Sequence, residues 1–400
     1  MSSCPKVLAA IAGTFLSLVT IDVNPAQAGN FTFTKIVDDR DFFEVGGGPI
    51  NDNGTVAFAA FDVTFSGGGI FTSNGDGAYS SVVNFDRRAV LTGLAIDNSG
   101  RVAFQDILAI PRDGIFISNG ESLITIATES DKLFDANPTP KKFNNNGTLV
   151  FTVSENLGIG EKIVTGNGGP LTTVVDTSGL FSSFNQSPAI NDANVVAFEA
   201  SLKSGKVGVF TIEDDGTITT IADTTNSLFS GGFFEVGINN TGTVIFEAFR
   251  EDGEQGIFIG NGETITTIAD TSSFFSYLSR ATHNDHNQVA FNGTLRDGAE
   301  NVFTDGIFTG PDPVADKVIA IGDSLLGGTV TNLFFSENIN NSGQISFFAE
   351  LIDDNGKTIR GVFRADRVSK SIPESTSTLG LLAFGALGTG LTLKRKLKQI

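Results

Sequence analysis

The sequence predicts an all-β protein, a seven-bladed β-propeller with four-stranded blades, and two observations lead to this fold class. An eight-residue element of the general form Asn-x-x-Gly-x-x-x-Phe recurs seven times, and its copies start 45 to 56 residues apart. Each copy is followed by the same succession of short, strand-like segments. Four antiparallel strands in a period of about 47 residues are typical of a propeller blade. The seven copies start at Asn51, Asp97, Asn144, Asn191, Asn239, Asn284 and Asn340.

The fifth repeat shows how one blade is built. Its segments FFEVGIN, TVIFEAF, GIFIGN and TITTIAD predict four strands, ordered from the innermost to the outermost. In the second segment Val244, Phe246 and Ala248 share one face, and Ile245 lies on the other, which is the period of two of a strand. Asn261-Gly262 separates the last two segments and is a strong hairpin signal.

The two ends of the repeat array predict that the ring closes on itself. The last repeat has no segment for its outermost strand, whereas FTFTKIVDD, which starts at Phe31, stands alone before the first repeat. We therefore expect this N-terminal strand to pair with the last blade, so that residues 29–370 form one domain. The 36 Phe residues then have a cause, because one Phe in each second strand packs blade against blade.

The repeat turns are interpreted as structural. An Asn at the first position bonds the backbone two residues on, and a Gly at the fourth position tolerates a positive φ angle. Because these turns are short and uniform, they are expected to share one rim of the ring with the Asn-Gly hairpins. The representative pairs are Asn51 and Gly54, Asn144 and Gly147, Asn239 and Gly242, and Asn340 and Gly343.

Residues 1–28 predict a secretory signal peptide. A basic start at Lys6 precedes an apolar run, and Ala26-Gln27-Ala28 has the A-x-A form of a cleavage site. Cleavage is therefore expected between Ala28 and Gly29. Cys4 is the single cysteine and leaves with the signal, which excludes a disulfide framework in the mature chain.

Residues 371–400 predict a membrane anchor. A Ser/Thr-rich spacer precedes an uncharged apolar stretch from Leu379 to Leu393, which predicts a short transmembrane helix. Four basic residues follow between Lys394 and Lys398. By the positive-inside rule these residues stay in the cytoplasm, which places the repeat domain outside it.

Both the tail and the repeats resemble known families. Pro373-Glu374-Ser375, the apolar helix and the basic cluster resemble the PEP-CTERM sorting signal of exported bacterial proteins. This resemblance implies cleavage near Pro373-Glu374 by exosortase, a membrane transpeptidase, usually in bacteria that make exopolysaccharide. Because the third position is Ser375 instead of Pro, retention in the inner membrane is the alternative. The repeats resemble tandem NxxGxxxF repeats of exported bacterial proteins, and that resemblance implies no established activity.

The charge of the chain excludes several function classes. The formal net charge is −19, and residues 29–375 carry 21 basic and 44 acidic residues, a net −23. A nucleic-acid-binding protein needs a basic surface, and adhesion to anionic lipid by charge needs one as well. Two His residues leave little room for a zinc enzyme.

Weak candidate metal ligands lie in the sixth repeat. Asp297, Glu300 and Asp305 belong to an inserted loop on the rim opposite the repeat turns, and carboxylate oxygens are the ligands that Ca²⁺ prefers. An acidic, solvated surface explains the same residues without a metal. His283 and His286 flank the sixth repeat turn without an apparent third ligand. No cofactor other than Ca²⁺ is suggested.

Three functions remain open on the sequence. The first is a non-enzymatic binding or scaffold module at the cell surface or in the extracellular matrix, in contact with polysaccharide or a surface protein. The second is a propeller glycoside hydrolase or lyase, which would need carboxylates converging on the central channel. The third is a Ca²⁺-dependent adhesin. No catalytic residue is identified.

Overall fold

The computed structural model describes residues 30–62, 67–85, 91–106, 114–128, 143–154, 161–185, 188–296 and 303–368. The predicted signal peptide with its cleavage site at Ala28 and Gly29 lies outside these residues, as does the tail with Pro373, Glu374 and Ser375. Within the described ranges no helix is long and apolar enough to cross a membrane.

The described residues form strands arranged in seven sheets, which are the blades of a propeller. The chain starts with β1 (Phe31–Asp38). Blade 1 contains β2 (Glu44–Ile50), β3 (Val56–Phe61), β4 (Gly68–Ser73) and β5 (Ser80–Phe85). Blade 2 contains β6 (Leu91–Ile96), β7 (Val102–Asp106), β8 (Gly114–Ser118) and β9 (Leu123–Thr128). Blade 3 contains β10 (Leu149–Val153), β11 (Lys162–Gly166) and β12 (Thr172–Asp176).

The remaining four blades follow in the same order. Blade 4 contains β13 (Phe181–Phe184), β14 (Ala189–Ile190), β15 (Val196–Leu202), β16 (Val207–Ile212) and β17 (Ile218–Asp223). Blade 5 contains β18 (Phe229–Ile238), β19 (Val244–Arg250), β20 (Gln255–Gly260) and β21 (Ile265–Asp270). Blade 6 contains β22 (Phe275–His283), β23 (Val289–Arg296), β24 (Phe303–Phe308) and β25 (Lys317–Ala320). Blade 7 contains β26 (Ser324–Leu325), β27 (Gly328–Ile339), β28 (Ile345–Asp353) and β29 (Thr358–Arg367).

Blades 1, 2, 5 and 6 have the predicted four strands, and the other three depart from this number. In blade 3 the described inner edge is a single bridge between Phe143 and Leu149. In blade 4 the inner strand consists of two pieces, β13 and β14, which both pair with β15. In blade 7 the inserted segment at Ser324 forms a small hairpin, because β26 pairs with the start of β27.

The predicted closing strand is confirmed. β1 pairs antiparallel with β29, from Phe31 opposite Arg367 to Asp38 opposite Gly361, and so supplies the outermost strand of blade 7. The inner strand β2 of blade 1 contacts both β6 of blade 2 and β27 of blade 7. The first and last parts of the array therefore meet, and the ring is closed.

Each blade presents two different faces to its neighbours. On one face a Phe of the second strand lies opposite a Phe of the third, as Phe246 and Phe258 do with ring centroids 5.6 Å apart. These two rings, with Val244 and Ala248, pack against Ala197 and other small residues of blade 4. Ile245 lies on the other face and packs against blade 6. The predicted period of two is therefore confirmed, and large rings meet small aliphatic side chains at the interface.

Candidate functional site

The repeat turns are tied to one another in a circle of hydrogen bonds. In each turn the first side chain accepts from its own backbone, as Asn51 Oδ1 does from the N–H groups of Asn53 and Thr55 at 3.1 and 3.0 Å. In six turns the Asn Nδ2 also donates to the backbone carbonyl of the next turn, at 2.8 to 3.1 Å. The donors are Asn51, Asn144, Asn191, Asn239, Asn284 and Asn340.

The backbone geometry of the turns explains their fourth residue. That residue has a positive φ between 58° and 86° in all seven turns, from Asn287 at 58° to Gly147 at 86°. Gly tolerates this left-handed region because it has no Cβ, and Asn tolerates it better than most residues. Gly54, Gly147, Gly242 and Gly343 all lie in this left-handed region.

Blade 2 replaces the first Asn by Asp97, which has no donor for the next turn. Arg101, four residues on, forms an ion pair with Asp97 at 2.6 Å and donates from Nη2 to the carbonyl of Asn145 at 3.1 Å. The arginine thus makes the contact with blade 3 that an asparagine makes elsewhere.

The second residues of the turns form another circle, which surrounds the mouth of the central channel. In every turn the backbone N–H of this residue donates to Oδ1 of its counterpart in the next blade, at 2.8 to 2.9 Å. The members are Asp52, Asn98, Asn145, Asp192, Asn240, Asp285 and Asn341. We call them the Asx ring.

Amide groups bridge the carboxylates of the Asx ring. Asn341 Nδ2 donates to Asp52 Oδ2 at 3.0 Å and to Asp285 Oδ2 at 2.9 Å. Asn240 Nδ2 donates to Asp192 Oδ2 at 3.0 Å and to Asp285 Oδ2 at 3.1 Å. These bonds make the channel mouth, which encloses about 190 Å³, a rigid and polar opening.

The candidate metal ligands do not come together in the described structure. His283 is buried at the end of β22, and its Nε2 contacts the backbone carbonyl of Thr243 at 2.9 Å, whereas His286 is exposed in the turn. Asp305 lies in β24 and accepts from the hydroxyl of Thr294 at 2.6 Å. Asp297 and Glu300 lie outside the described residues. Among the described residues, no group of three or more His, Cys, Asp or Glu is placed to hold a metal ion.

One carboxyl group titrates far from its usual range. Burial raises the pKa of Glu199, in β15, to about 7, and a hydrogen bond from Asn185 Nδ2 at 2.5 Å opposes this increase. The equivalent residue of blade 5 is Glu247, which also accepts from the backbone N–H of Ala281 in the next blade at 3.0 Å. Near neutral pH Glu199 is therefore partly protonated, whereas an exposed glutamate is ionised.

A cleft of about 320 Å³ separates blades 3 and 4 on the rim of the repeat turns. Its floor and sides come from β12, from the turn after β11, and from the turn between β16 and β17. The lining includes four threonines together with Glu213 and Asp214. Those threonines are Thr148, Thr165, Thr172 and Thr173.

A group of exposed aromatic side chains lies on the opposite side of the propeller from the cleft. Five of them lie on blades 5 to 7, on the parts of the blades away from the repeat turns, and are 39 to 55% exposed. Two contacts order this aromatic surface: the rings of Phe234 and Phe249 lie 5.9 Å apart, and the Arg280 guanidinium lies 4.4 Å from the Phe334 ring centroid. The five are Phe234, Phe249, Phe274, Tyr277 and Phe334.

Comparisons with known proteins give a match to one family over part of the chain. Residues 262–374, less than half of the chain, match a family of unknown function, DUF7453. No curated protein matches the chain.

Three solved structures illustrate the structural likeness. Aleuria aurantia lectin in complex with Fucα1-6GlcNAc is 9% identical with a TM-score of 0.36, over 69% of this chain and 93% of that chain. The WD40 domain of SCAP from fission yeast is 11% identical with a TM-score of 0.38, over 84% and 87%. Prolyl oligopeptidase B from Galerina marginata is 9% identical with a TM-score of 0.45, over 77% of this chain and 47% of that one. At such identities the likeness concerns only the fold.

The sequence did not predict the Asx ring, the cleft or the aromatic surface. The Asx ring has a signal, since the second position of every turn is Asp or Asn. The cleft has one too, because Glu213-Asp214-Asp215-Gly216 stands where blades 2, 3 and 5 have Asn-Gly. The aromatic surface has no distinct signal, because its members lie among the many Phe residues of the blade interfaces.

Proposed function

We propose that the protein is an exported β-propeller that acts as a non-enzymatic binding module for polysaccharide, at the cell surface or in the extracellular matrix. The aromatic surface carries this proposal. Large exposed rings on a monomeric protein indicate an interaction site, since burying them is favourable. Pyranose rings present apolar C–H faces that pack on such rings, while arginine donates to the sugar hydroxyls.

The positions of the rings suit an extended, neutral ligand. Phe234, Tyr277 and Phe334 lie on β18, β22 and β27, which are neighbouring inner strands. Arg280 belongs to β22, and its guanidinium lies 4.4 Å from the ring centroid of Phe334 in β27. The net charge of −23 over residues 29–375 disfavours a strongly anionic polymer.

The export route is part of the same proposal. The signal peptide takes the chain out of the cytoplasm, and the apolar helix with its basic end holds it in the inner membrane. An exosortase-like transpeptidase then acts near Pro373-Glu374. The observations in support are the sequence of the two ends and the resemblance of the tail to PEP-CTERM signals. Mature protein starting at Gly29 and lacking residues 376–400 would support this route, and an intact tail in purified surface protein would contradict cleavage.

Hydrolysis has less support at the channel mouth. A glycosidase needs one carboxylate free to attack or activate water and another that holds a proton. Asp52, Asp192 and Asp285 each accept hydrogen bonds from neighbouring amides and backbone groups. Carboxylates held in this way are suited to join blades.

The test is a glycan array with two matched variants. Tyr277→Ala removes a ring of the aromatic surface that is 55% exposed, and Tyr79→Ala removes a ring of similar exposure, 50%, from blade 1. We expect the wild type to bind a neutral polysaccharide, Tyr277→Ala to bind it about tenfold more weakly and Tyr79→Ala to match the wild type. Equal binding by all three would contradict the assigned surface, and no glycan binding at all would contradict the function.

A further inference from the structure

The cleft between blades 3 and 4 exists because one turn breaks the repeat pattern. In blades 2, 3 and 5 the turn between the third and fourth strands is Asn-Gly, and its Gly packs on the outer strand of the preceding blade. A Cβ added to Gly262 would lie 2.7 Å from the Thr219 side chain, and one added to Gly120 would lie 3.2 Å from the Ser81 carbonyl. The turn of blade 4 is Glu213-Asp214-Asp215-Gly216, in which Asp214 stands at the position of Gly262 because Ile212 aligns with Gly260. A Cβ on its only glycine, Gly216, would have no described atom within 4 Å. The glycine that packs on the preceding blade is therefore absent from its usual position, and the cleft lies at this junction.

Five of the polar side chains that line the cleft have no hydrogen-bond partner within the described structure. The hydroxyls of Thr165, Thr172 and Thr173 make no hydrogen bond to any described residue, and the carboxylates of Glu213 and Asp214 make none either. Asn194, which also lines the cleft, is engaged instead, because its Oδ1 accepts from Asn144 Nδ2 at 3.1 Å. The cleft therefore offers a group of free donors and acceptors at fixed positions on two strands, β11 and β12, and on the turn between β16 and β17.

The chemistry of these groups selects a class of ligand. Hydroxyls both donate and accept, and a carboxylate accepts from hydroxyl or ammonium groups, so the lining complements a ligand with many hydroxyls. No lysine or arginine belongs to the described lining, which leaves the charges of Glu213 and Asp214 unbalanced. An anionic ligand is disfavoured by this field, and a cationic one is favoured. The volume of about 320 Å³ is at the lower end of the range for small-ligand pockets.

We propose that this cleft is a subsite for a protonated amino-sugar unit of an otherwise neutral polysaccharide. In this arrangement the ammonium group lies between Glu213 and Asp214, and the ring hydroxyls bond to the threonines of β11 and β12. The inference rests on the proposed polysaccharide-binding function and adds a second contact point on the opposite rim from the aromatic surface.

The turn itself supplies a matched control. Asp215 lies between the residues of interest and Gly216 but does not line the cleft, and its Oδ1 accepts from the backbone N–H of Thr217 at 2.8 Å. Asp215→Asn keeps an oxygen that can accept from the backbone N–H of Thr217, and it removes one negative charge, as each substitution of Glu213 or Asp214 does. The double variant Glu213→Gln/Asp214→Asn removes the two cleft charges without breaking any described hydrogen bond, so folding is retained.

Titration calorimetry on the full chain tests the proposal, in a detergent without a sugar headgroup where detergent is needed. The probes are a glucosamine oligosaccharide below the pKa of its amines and the N-acetylated oligosaccharide of equal length. We expect the glucosamine oligosaccharide to bind at least tenfold more tightly than its acetylated form. We expect the double variant to lose about tenfold in affinity for it, and Asp215→Asn to stay within twofold of the wild type.

A steric variant provides the second line of evidence. Thr173→Tyr fills the cleft, whereas Thr220→Tyr places the same ring at the equivalent position of blade 4, where the Asn-Gly turn of blade 5 closes the junction. Only Thr173→Tyr is expected to abolish glucosamine binding.

Equal affinity of the wild type and the Glu213→Gln/Asp214→Asn variant would overturn the inference, as would equal affinity for the two oligosaccharides. Binding of a neutral polysaccharide without glucosamine binding would overturn this subsite alone, and no polysaccharide binding would overturn the proposed function as well.

Discussion

Replacing one asparagine of the turn circle tests how the blades are joined. Asn284 is 4% exposed, and its Nδ2 donates to the Asn340 carbonyl at 2.8 Å. Asn284→Asp removes this donor and turns a carboxylate oxygen toward the carbonyl oxygen. The lost bond and the unpaired buried carbonyl together cost about 2 kcal/mol of unfolding free energy. Asn284 Nδ2 also donates to Gln288 Oε1 at 2.7 Å. The loss of this bond adds little to the free-energy cost, because the Gln288 amide can rotate and donate to the new carboxylate.

Blade 2 contains the change that should rescue this variant. Asp97 already stands at the equivalent position there, and Arg101, four residues on, pairs with it and reaches the next turn. Gln288 is the fourth residue after Asn284, so Asn284→Asp/Gln288→Arg transfers the pair from blade 2 to blade 6. Since the arginine restores both a partner for the carboxylate and a donor to the next turn, we expect about 1.5 kcal/mol of the loss to return.

Chemical denaturation of residues 29–370 measures these differences, and the two single variants with the double variant give the coupling energy. Asn261→Asp is the control, because only the Oδ1 of Asn261 is used, accepting from Glu263 and Thr264 in an exposed turn at 3.0 Å. An aspartate accepts equally well there, so the change should be under about 0.5 kcal/mol. A harmless Asn284→Asp, or a double variant no more stable than the single one, would refute the assigned role of the turn circle.

Three further predictions concern stability. Because the pKa of Glu199 is raised, the folded state binds its proton more tightly than the unfolded state does, and the free energy of unfolding should fall as the pH rises from about 4.5 to about 7. Glu199→Gln should remove this pH dependence. Chemical denaturation of both proteins at pH 5 and pH 8 measures the difference. Val37→Asn should weaken the closure of the propeller and lower the free energy of unfolding by about 3 kcal/mol, because Val37 is 1% exposed in the closing strand. Thr32 is exposed on the same strand, so Thr32→Asn should leave the free energy of unfolding nearly unchanged. Thermal unfolding of the two variants measures the difference. Phe246→Ala should lower the free energy of unfolding by about 3 to 5 kcal/mol, because this ring is 0% exposed at the blade interface. Phe249→Ala should lower it by less than about 1 kcal/mol, because this ring is 39% exposed. Equal melting temperatures of the two variants would contradict the assigned interface.

The sequence was sufficient for the fold because the fold is repeated. The period of two of a strand places Val244 and Phe246 on one face, independently of the rest of the chain. The separate strand at Phe31 could pair only with blade 7, because that blade alone lacked a segment for its outermost strand. The cleft could not be predicted with the same reasoning. It depends on whether a turn of blade 4 reaches the outer strand of blade 3, which is a distance between separate blades. The sequence shows only that Glu213-Asp214-Asp215-Gly216 departs from the pattern.

The number of blades constrains the Asx ring in a way that argues for its structural role. If carboxylates and amides alternated around a circle of seven, one pair of like neighbours would be unavoidable because seven is odd. That pair is Asn98 and Asn145, and their amides point apart, Asn98 to Asp52 Oδ2 at 2.8 Å and Asn145 to Asp192 Oδ2 at 2.8 Å. At the junction itself Asn145 Oδ1 accepts from the Asn98 backbone at 2.9 Å.

The position of this pair decides the electrostatics of the channel mouth. With three aspartates and four asparagines, every carboxylate has an amide on each side, and no two carboxylates are adjacent. A fourth aspartate at either position of the pair would place two carboxylates next to each other and remove a donor. The ring therefore holds the largest number of aspartates that seven positions accept without a cation between them, and its charge is balanced by hydrogen bonds between blades.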